Sequence, residues 1–411
     1  MRKPALTRSQ GKNAPLSYGP TFHLGRQIVY WFSKRSQVDF TVMGMITLFL
    51  PPGACRIKER PPVRIHSETF TTQGIGIKMP TMRWKLLYYI IKPAIPRSLQ
   101  LSWRRIMISL TRKRCAHKWP IDADSGVAPQ GWMGWPAGKR FALVLTHDVE
   151  SATGQGRVKS LALLEREFNI LSSFNFVPER YSVSAGLREW LWENKFEVGV
   201  HDLNHDGRLF FSRRTFNERS TSINQYIREW GAKGFRSGAM HHNLEWIGML
   251  DIAYDLSTFD TDPFEPQSDG VGTIFPFCVN RRYGEPFAEL PYTLAQDFTL
   301  FILLREADIS IWKAKLDWIV QRGGMALVNV HPDYIDFSEN NTDTMKYPID
   351  RYQELLKYCL DKYPGQYWNA LPHQVAEFIL NNPVYARARG DESDNLSRKG
   401  PSVDPHEQET K

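Results

Sequence analysis

Short, largely apolar runs that lead into polar clusters containing His are the feature of this sequence that most constrains its fold. FALVLT (141–146) is followed by HDVE, FEVGVH (196–201) ends on a His, and MALVNV (325–330) is followed by HPD. An apolar run of this length, bounded by turn-forming residues, is typical of a strand buried on both faces, as in a parallel sheet. The sequence therefore predicts a parallel α/β architecture.

Segments with helical periodicity alternate with these runs. Residues 156–168 carry apolar side chains at helical spacing, and we predict that they form the crossover helix after the first strand. The other predicted elements are strands at 180–183, 234–237 and 251–258, and helices at 187–194, 216–230, 311–321 and 352–360. Parallel strands joined by helices bring their C-terminal ends to one edge of the sheet, where barrels of this kind carry their chemistry.

The charge of the chain is divided unevenly. The formal net charge is +8, but residues 1–121 carry 22 Lys and Arg against 3 Asp and Glu, and the remainder carries 30 against 41. A basic arm ahead of an acidic body indicates a polyanionic neighbour, either anionic lipid or nucleic acid, or else an upstream extension with little order. We do not expect nucleic acid as a partner, because no aromatic-interleaved binding fold accompanies the basic arm.

Residues 84–114 combine apolar and aromatic side chains with Lys and Arg and contain no acidic residue. Such a segment either contacts an anionic membrane surface with its cations at the headgroups, or forms a helix that packs on the domain and is interrupted by Pro93 and Pro96. No signal peptide is evident, and the apolar run 40–50 is shorter than the ~20 residues that span a bilayer. We expect a cytoplasmic protein, with peripheral attachment to the inner membrane left open.

Changes in composition divide the chain into four parts. We expect a poorly ordered basic extension (1–80), a basic aromatic lead-in (81–137), an α/β domain (138–380) and a disordered polar tail (381–411). The four cysteines form no CxxC pair, which excludes a zinc ribbon and a disulfide framework. This cysteine usage indicates a reducing compartment or thiols without a role.

Two of the strand ends supply candidate metal ligands. His201 and His205 are four residues apart, so both imidazoles lie on one face of a turn or helix and can reach one ion. Asp148 and Glu150 follow the first strand and offer a carboxylate. Neutral imidazole suits zinc and neighbouring divalent metals, and one carboxylate with open positions is typical of a catalytic site. Because surface histidines at this spacing are common, the prediction depends on their position after a buried strand.

In their order along the chain, these motifs resemble those of the polysaccharide deacetylase family, the nodulation-type carbohydrate esterases (carbohydrate esterase family 4-like). Over roughly residues 138–335 five motifs match, namely Asp148 with Glu150, His201 with His205, GFRSGA with Arg236, the Asp- and Ser/Thr-rich segment 254–260, and LVNVHP with His331. Longer strings such as LTHDVES and GVHDLNHDG resemble a subgroup associated with bacterial surface-polysaccharide loci. The resemblance implies that the α/β domain is a distorted (β/α) barrel of about seven parallel strands. It also implies hydrolysis of the N-acetyl group of a sugar in a glycan or polysaccharide precursor.

The resemblance implies a metal centre as well. Glu150, His201 and His205 would hold a divalent ion, expected to be Zn²⁺, which polarises the acetyl carbonyl and lowers the pKa of a water molecule. The alternative is that Asp148 is the carboxylate ligand, in which case the general base is lost.

Catalytic and substrate-binding roles follow from the same resemblance. Asp148 would be the general base and His331 the general acid, with Arg236 orienting or tuning the base. Each predicted substrate contact also has a structural explanation, such as a His packed at a strand end or an Asp that caps a turn. The residues predicted to contact the acetylated carbohydrate are His147, His241, Asp260 and Asp262.

The chain departs from the family pattern at several positions. Val149 stands where the family usually has the second of two adjacent Asp residues, Gly238 where it often has Pro, and Asp202 where a small hydroxyl residue is common. These departures leave open the hypothesis that the chain is a catalytically inactive barrel that binds glycan. A third hypothesis is a related hydrolase of non-sugar C–N (amide) bonds.

Overall fold

The computed structural model describes residues 97–338 and 343–382, and the structural statements below concern these residues. The predictions made for the basic extension and for most of the polar tail concern residues outside this range. Within it, none of the helices is long and apolar enough to cross a membrane.

Helices and strands alternate along most of the described chain. The strands are β1 (Phe141–Val149), β2 (Ser173–Phe176), β3 (Glu197–His201), β4 (Gly234–Arg236), β5 (Tyr254–Asp255), β6 (Phe277–Val279), β7 (Phe287–Glu289), β8 (Met325–Asn329), β9 (Ile335–Asp336), β10 (Tyr347–Pro348) and β11 (Tyr367–Asn369). The helices are α1 (Arg97–Arg114), α2 (Ala152–Gln155), α3 (Val158–Glu167), α4 (Ala185–Glu193), α5 (Arg213–Glu229), α6 (Leu244–Ile247), the π-helix (Phe298–Leu304), α7 (Ser310–Arg322), α8 (Asp350–Lys362) and α9 (Pro372–Leu380).

Nine strands in the described part of the chain form one curled sheet. Seven of them are parallel neighbours, in the order β8, β1, β2, β3, β4, β5 and β7. Beyond β7, Leu294 forms a parallel bridge with Val328 of β8, so the two ends of the curl meet. The architecture is therefore a distorted α/β barrel with seven parallel strands, as expected from the sequence.

The central strands form where the sequence is continuously apolar. All nine residues of β1 and all five of β8 are buried, because β1 pairs with β8 on one side and with β11 and then β2 on the other. The helices that connect the strands bury one face each, and some of them begin at polar caps. Ser184 accepts a hydrogen bond from a backbone N–H in the first turn of α4, and Ser212 does the same for α5.

The prediction for the second strand is wrong. The second strand is β2 at Ser173–Phe176, and residues 180–183 lie in the connection that leads to α4. RYSV has the aromatic and β-branched residues that favour a strand, whereas SFNF contains Asn and is only four residues long. Its pairing between β1 and β3, which are distant in sequence, makes SFNF a strand. The strand predicted at 251–258 is also shorter than expected, since β5 contains only Tyr254 and Asp255.

Candidate metal centre

The strand geometry of β1 places Asp148 and Glu150 on the same side of the chain. Successive side chains of a strand point to opposite faces, so residues two apart share a face. Thr146 and Asp148 both contact the guanidinium of Arg236 inside the barrel. Val149 is fully buried on the opposite face. An acid-x-acid spacing therefore aims both carboxylates at the site, and the residue between them must be apolar.

Glu150, His201 and His205 form a group whose ligand atoms all lie within 4.8 Å of one another. His205 Nε2 is 3.3 Å from a Glu150 carboxylate oxygen. His201 Nδ1 is 3.1 Å from the carbonyl oxygen of Arg236, to which it donates, so Nε2 presents its lone pair to the group. That Nε2 atom is buried and has no hydrogen-bond partner. Because buried polar atoms are rarely left unpaired, this donor set fits a divalent metal ion.

The loop after β3 brings His205 back over His201. Asp202 and His205 both adopt left-handed backbone conformations, with φ of 55° and 54°, and Gly207 follows with φ of 73°. The two imidazole rings lie with their centroids 4.7 Å apart. Left-handed conformations cost a non-glycine residue roughly 1–2 kcal/mol, and such residues concentrate at functional sites. A strained turn, rather than one face of a helix, therefore brings the two histidines of the HxxxH motif together.

Asp202 and Gly238 depart from the family pattern together, and the structure shows why. The Asp202 carboxylate accepts a hydrogen bond from the Gly238 N–H at 3.2 Å. A Cβ atom at Gly238 would lie 2.5 Å from Asp202 Oδ2. A proline at this position would lack the N–H and would collide with the carboxylate, so an Asp at 202 requires a Gly at 238.

Asp148 is buried and carries a dense set of hydrogen bonds. Its Oδ1 accepts from Arg236 Nη1 at 3.1 Å and from Asn175 Nδ2 at 3.0 Å, and its Oδ2 accepts from Asn329 Nδ2 at 2.8 Å. Burial alone would raise the pKa of Asp148, but its charged surroundings, with the Arg236 guanidinium the largest contributor, outweigh burial and hold the pKa well below its usual range. Asp148 is thus an ionised carboxylate beside the three-ligand group.

Arg236 ends β4 and is fully buried. Its Nε donates to the Leu256 carbonyl at 3.0 Å, while Nη1 donates to Thr146 Oγ1 at 2.9 Å and to Asp148. These contacts hold the guanidinium against the carboxylate, the position that the predicted tuning role requires.

His331 faces the same space from the end of β8. Its Nδ1 lies 2.6 Å from Asp297 Oδ1, and its backbone N–H donates to Asp297 Oδ2 at 2.8 Å. Burial lowers the pKa of His331, but the Asp297 carboxylate outweighs burial and raises that pKa to about 10. His331 Nε2 is 3.9 Å from Asp148 Oδ2 and 4.0 Å from Glu150 Oε1. The site therefore places a protonated imidazole opposite an ionised carboxylate.

Glu150 is held from two sides. Its backbone N–H donates to Asp333 at 2.9 Å, and Tyr334 donates from its hydroxyl to Glu150 Oε2 at 3.2 Å. Burial opposes ionisation of Glu150, but His205 and His331 outweigh it and lower the pKa to about 2. A carboxylate in this state is ready to act as a metal ligand.

Several residues of the site were not predicted from the sequence. Asn329 ends the otherwise apolar strand β8, which is a detectable signal. Asn175 lies in a strand that the sequence did not predict, and Asp297 lies at the start of the π-helix with no local pattern to mark it. The unpredicted residues that touch the base, the acid or the ligand group are Asn175, Arg180, Asp297, Asn329, Asp333 and Tyr334.

The predicted substrate contact by His147 is inconsistent with the structure. His147 is fully buried on the face of β1 turned away from Asp148, with Nε2 2.8 Å from Glu165 and Nδ1 3.0 Å from the Val330 carbonyl. The strand alternation that directs Asp148 inward directs its neighbour outward, under α3. His147 therefore packs at the strand end, which was the structural alternative to substrate contact.

Asp260 and Asp262 are also buried and partnered by protein. Asp260 forms an ion pair with the buried Lys315, and Asp262 accepts from the Tyr292 hydroxyl at 3.0 Å. These contacts correct the prediction that both carboxylates bind substrate. His241 is half-buried at the end of the turn after Arg236, and its contact with substrate stays a prediction.

Comparisons with known proteins give likenesses of fold. No family model and no curated protein matches the chain. A protein described as a polysaccharide deacetylase from Mycobacterium smegmatis is 15% identical, over 69% of this chain and 99% of that one, with a TM-score of 0.48. An allantoinase is 14% identical, over 59% and 91%, with a TM-score of 0.45. A protein described as a polysaccharide deacetylase from Pseudomonas aeruginosa PAO1 is 13% identical, over 59% and 92%, with a TM-score of 0.44.

Proposed function

We propose that the chain is a metal-dependent deacetylase that hydrolyses the N-acetyl group of a sugar in a glycan or polysaccharide precursor. The observation that carries this proposal is the meeting of three groups at one edge of the barrel. A Glu-His-His ligand group lies beside an ionised Asp148 and a protonated His331. A metal-dependent amide hydrolase uses three functions together, which are a Lewis acid, a base and an acid.

Glu150, His201 and His205 would hold the divalent ion, and two imidazoles with one carboxylate favour zinc. The chemistry that such an ion supplies when bound is polarisation of the amide carbonyl and a lowered pKa for a water molecule.

Two other side chains, Asp148 and His331, would transfer the protons. Asp148 stays ionised beside Arg236, so it can take the proton from the attacking water. His331 stays protonated because of Asp297, so its Nε2 can deliver a proton to the leaving amine. Asp148 Oδ2 and His331 Nε2 are 3.9 Å apart, so both proton transfers would take place within one small site.

The inactive barrel is less well supported than the enzyme. That hypothesis rests on Val149 and Gly238, but the strand alternation explains the first residue and the contact with Asp202 explains the second. Neither departure removes the base, the acid or a member of the ligand group.

The proposed function is tested by measuring acetate release from N-acetylhexosamine oligomers. We expect that a chelator abolishes release and that added Zn²⁺ restores it. His201→Ala is expected to lose the chelator-sensitive activity, whereas His117→Ala, which changes an exposed His, retains it. Asp148→Asn is expected to lower kcat by about 10²–10⁴-fold while Zn²⁺ binding persists, because it removes the base but no ligand.

Other outcomes would select the other hypotheses. Release that is insensitive to chelator would contradict the metal-dependent mechanism. Glycan binding that survives Asp148→Ala, with no release from any acetylated glycan, would indicate the inactive barrel. Release only from small non-sugar amides would indicate the related amide hydrolase.

A further inference from the structure

Helix α1 is fixed to the barrel through one face. Leu101 and Ile108 are seven residues apart, and both are buried in the core. Arg105 donates from Nε and Nη2 to the carbonyl of Ile302 in the π-helix, at 3.1 and 2.9 Å. Arg112 forms an ion pair with Glu306 just beyond the π-helix. The inner face of α1 is therefore packed against the domain.

The outer face of α1 carries an apolar stripe that we call the α1 stripe. It consists of Leu99, Trp103, Ile106 and Leu110, which are exposed by 61%, 36%, 56% and 44%. At about 100° per residue, these four positions fall within about 60° of one another. They point away from the two core residues of the same helix. Scattered apolar residues on a surface are ordinary, but four in register on one helix face form an interaction surface.

Positive charge lies at the C-terminal end of the α1 stripe. The last turn of α1 contains Arg112, Lys113 and Arg114, and the last two of these are exposed. Residues 84–114 hold eight Lys and Arg and no Asp or Glu. A helix with an apolar stripe, an aromatic residue within the stripe and cations around it is typical of helices that lie in the interface of an anionic bilayer.

We propose that the α1 stripe docks the protein on an anionic phospholipid bilayer. The aliphatic side chains would enter the boundary between headgroups and acyl chains, while the exposed cations remain at the phosphate level. A lipid surface accounts for both features, whereas nucleic acid would use the cations and leave the Leu and Ile side chains in water.

Helix α1 is connected to the candidate metal centre through contacts that lie outside the α1 stripe. Arg104 of α1 lies over the ring of Phe298, 5.3 Å from its centroid, and Phe298 packs on Tyr334 at 4.8 Å. The Tyr334 hydroxyl reaches Glu150. This part of the inference rests on the proposed function: a bilayer bound at α1 would present acetylated sugars carried on lipid headgroups to the metal centre.

Binding is tested by flotation of the full chain with vesicles of phosphatidylcholine, alone or mixed with phosphatidylglycerol. We expect binding to the mixed vesicles only, and a loss of at least about tenfold in affinity for Ile106→Glu, which buries a charge in the interface. Leu163→Glu is the matched control, because Leu163 is 50% exposed on another helix, and it should bind like the unaltered protein. Circular dichroism and melting temperature show whether each variant is folded.

Three results would overturn the docking surface. They are equal binding to neutral vesicles, undiminished binding by folded Ile106→Glu, and binding to duplex DNA that Ile106→Glu weakens to the same degree. A second variant, Lys113→Gln with Arg114→Gln, tests the charge separately. It should weaken binding to the mixed vesicles, and unchanged binding would contradict the role of the cations.

The presentation of lipid-borne sugars to the metal centre is tested separately. Acetate release is compared between a soluble N-acetylglucosamine oligomer and a vesicle-borne glycolipid that carries the same sugar. Trp103→Glu should lower release from the glycolipid and leave release from the oligomer unchanged, and equal loss on both would overturn this presentation. Vesicle binding without release from either substrate contradicts the proposed function alone, whereas release from the oligomer without vesicle binding contradicts the docking surface alone.

Discussion

At the scale of single residues, Asp148 Oδ2 lies 3.9 Å from His331 Nε2. The carboxyl group is ionised, whereas the imidazole is protonated. Arg236 keeps the carboxylate ionised despite its burial, and Asp297 keeps the imidazole protonated despite its burial. Pairs of titratable groups whose surroundings drive their pKa values apart are how active sites separate a base from an acid. The protonation state of each group therefore depends chiefly on an oppositely charged neighbour.

We predict that Asp297→Asn narrows the pH range of activity. The Asp297 carboxylate raises the pKa of His331 to about 10 against the effect of burial. Asp297 is the largest influence that raises this pKa, so without its carboxylate the pKa of His331 falls and the protonated form is lost at lower pH. The pH dependence of kcat for acetate release should then show its alkaline limb at lower pH than in the unaltered protein. Tyr347→Phe, which removes one hydrogen bond to Asp297 and no charge, is the control. An alkaline limb that does not move in Asp297→Asn would show that His331 is not the acid.

At the scale of elements, neighbouring strands fit because a small residue on one makes room for a large residue on another. Tyr254 of β5 extends past Gly234 of β4 and donates to Glu197 of β3 at 2.8 Å. A Cβ atom at Gly234 would lie 1.9 Å from the Tyr254 ring. The side-chain contact that ties three consecutive strands of the sheet together therefore requires a glycine in the middle strand.

We predict that Gly234→Ala destabilises the domain by about 1–3 kcal/mol, the usual range for overpacking a dense core. Gly186→Ala is the matched control, since a Cβ atom there would meet nothing within 4 Å and the residue lies in helix α4. That control should be neutral or gain roughly 0.5–1 kcal/mol, because alanine favours a helix over glycine. The free energies of unfolding are measured with denaturant. Equal stability of the two variants would mean that Tyr254 moves aside at no cost.

At the scale of the whole molecule, the curl of the sheet is what assembles the site. Glu150 follows β1, the two histidines belong to β3 and its following loop, and His331 follows β8. Closure through the bridge between Leu294 and Val328 brings Asp297, three residues after that bridge, beside His331. The Glu-His-His group can therefore form only when the barrel has folded.

This coupling predicts that metal binding stabilises the whole domain. A ligand that binds only the folded state adds RT ln(1 + [L]/Kd), about 2.7 kcal/mol at a hundredfold excess over Kd. For a domain of this size that corresponds to a rise in Tm of roughly 5–10 °C. The melting temperature is compared in chelator and in Zn²⁺ for the unaltered chain, His201→Ala and His117→Ala. We expect His201→Ala to lose the rise and His117→Ala to keep it. A rise that survives His201→Ala would place the metal elsewhere.

The sequence by itself determined the features that depend on local pattern. The runs at β1, β3 and β8 are buried between neighbouring strands, and burial on both faces requires the largely apolar composition that marks them as strands. The parallel barrel followed from their alternation with helices and from the motif resemblance. The positions of His201 and His205 at a strand end followed in the same way.

Only the tertiary structure decided which side chains meet. Asp297 is 34 residues from His331, and no local signal joins them, because their contact arises from closure of the barrel. SFNF became a strand because β1 and β3 lie on either side of it. The direction of β1 settled that Asp148 and Glu150 point into the barrel while His147 points out of it, since strand alternation acquires an inside and an outside only when the sheet has curled.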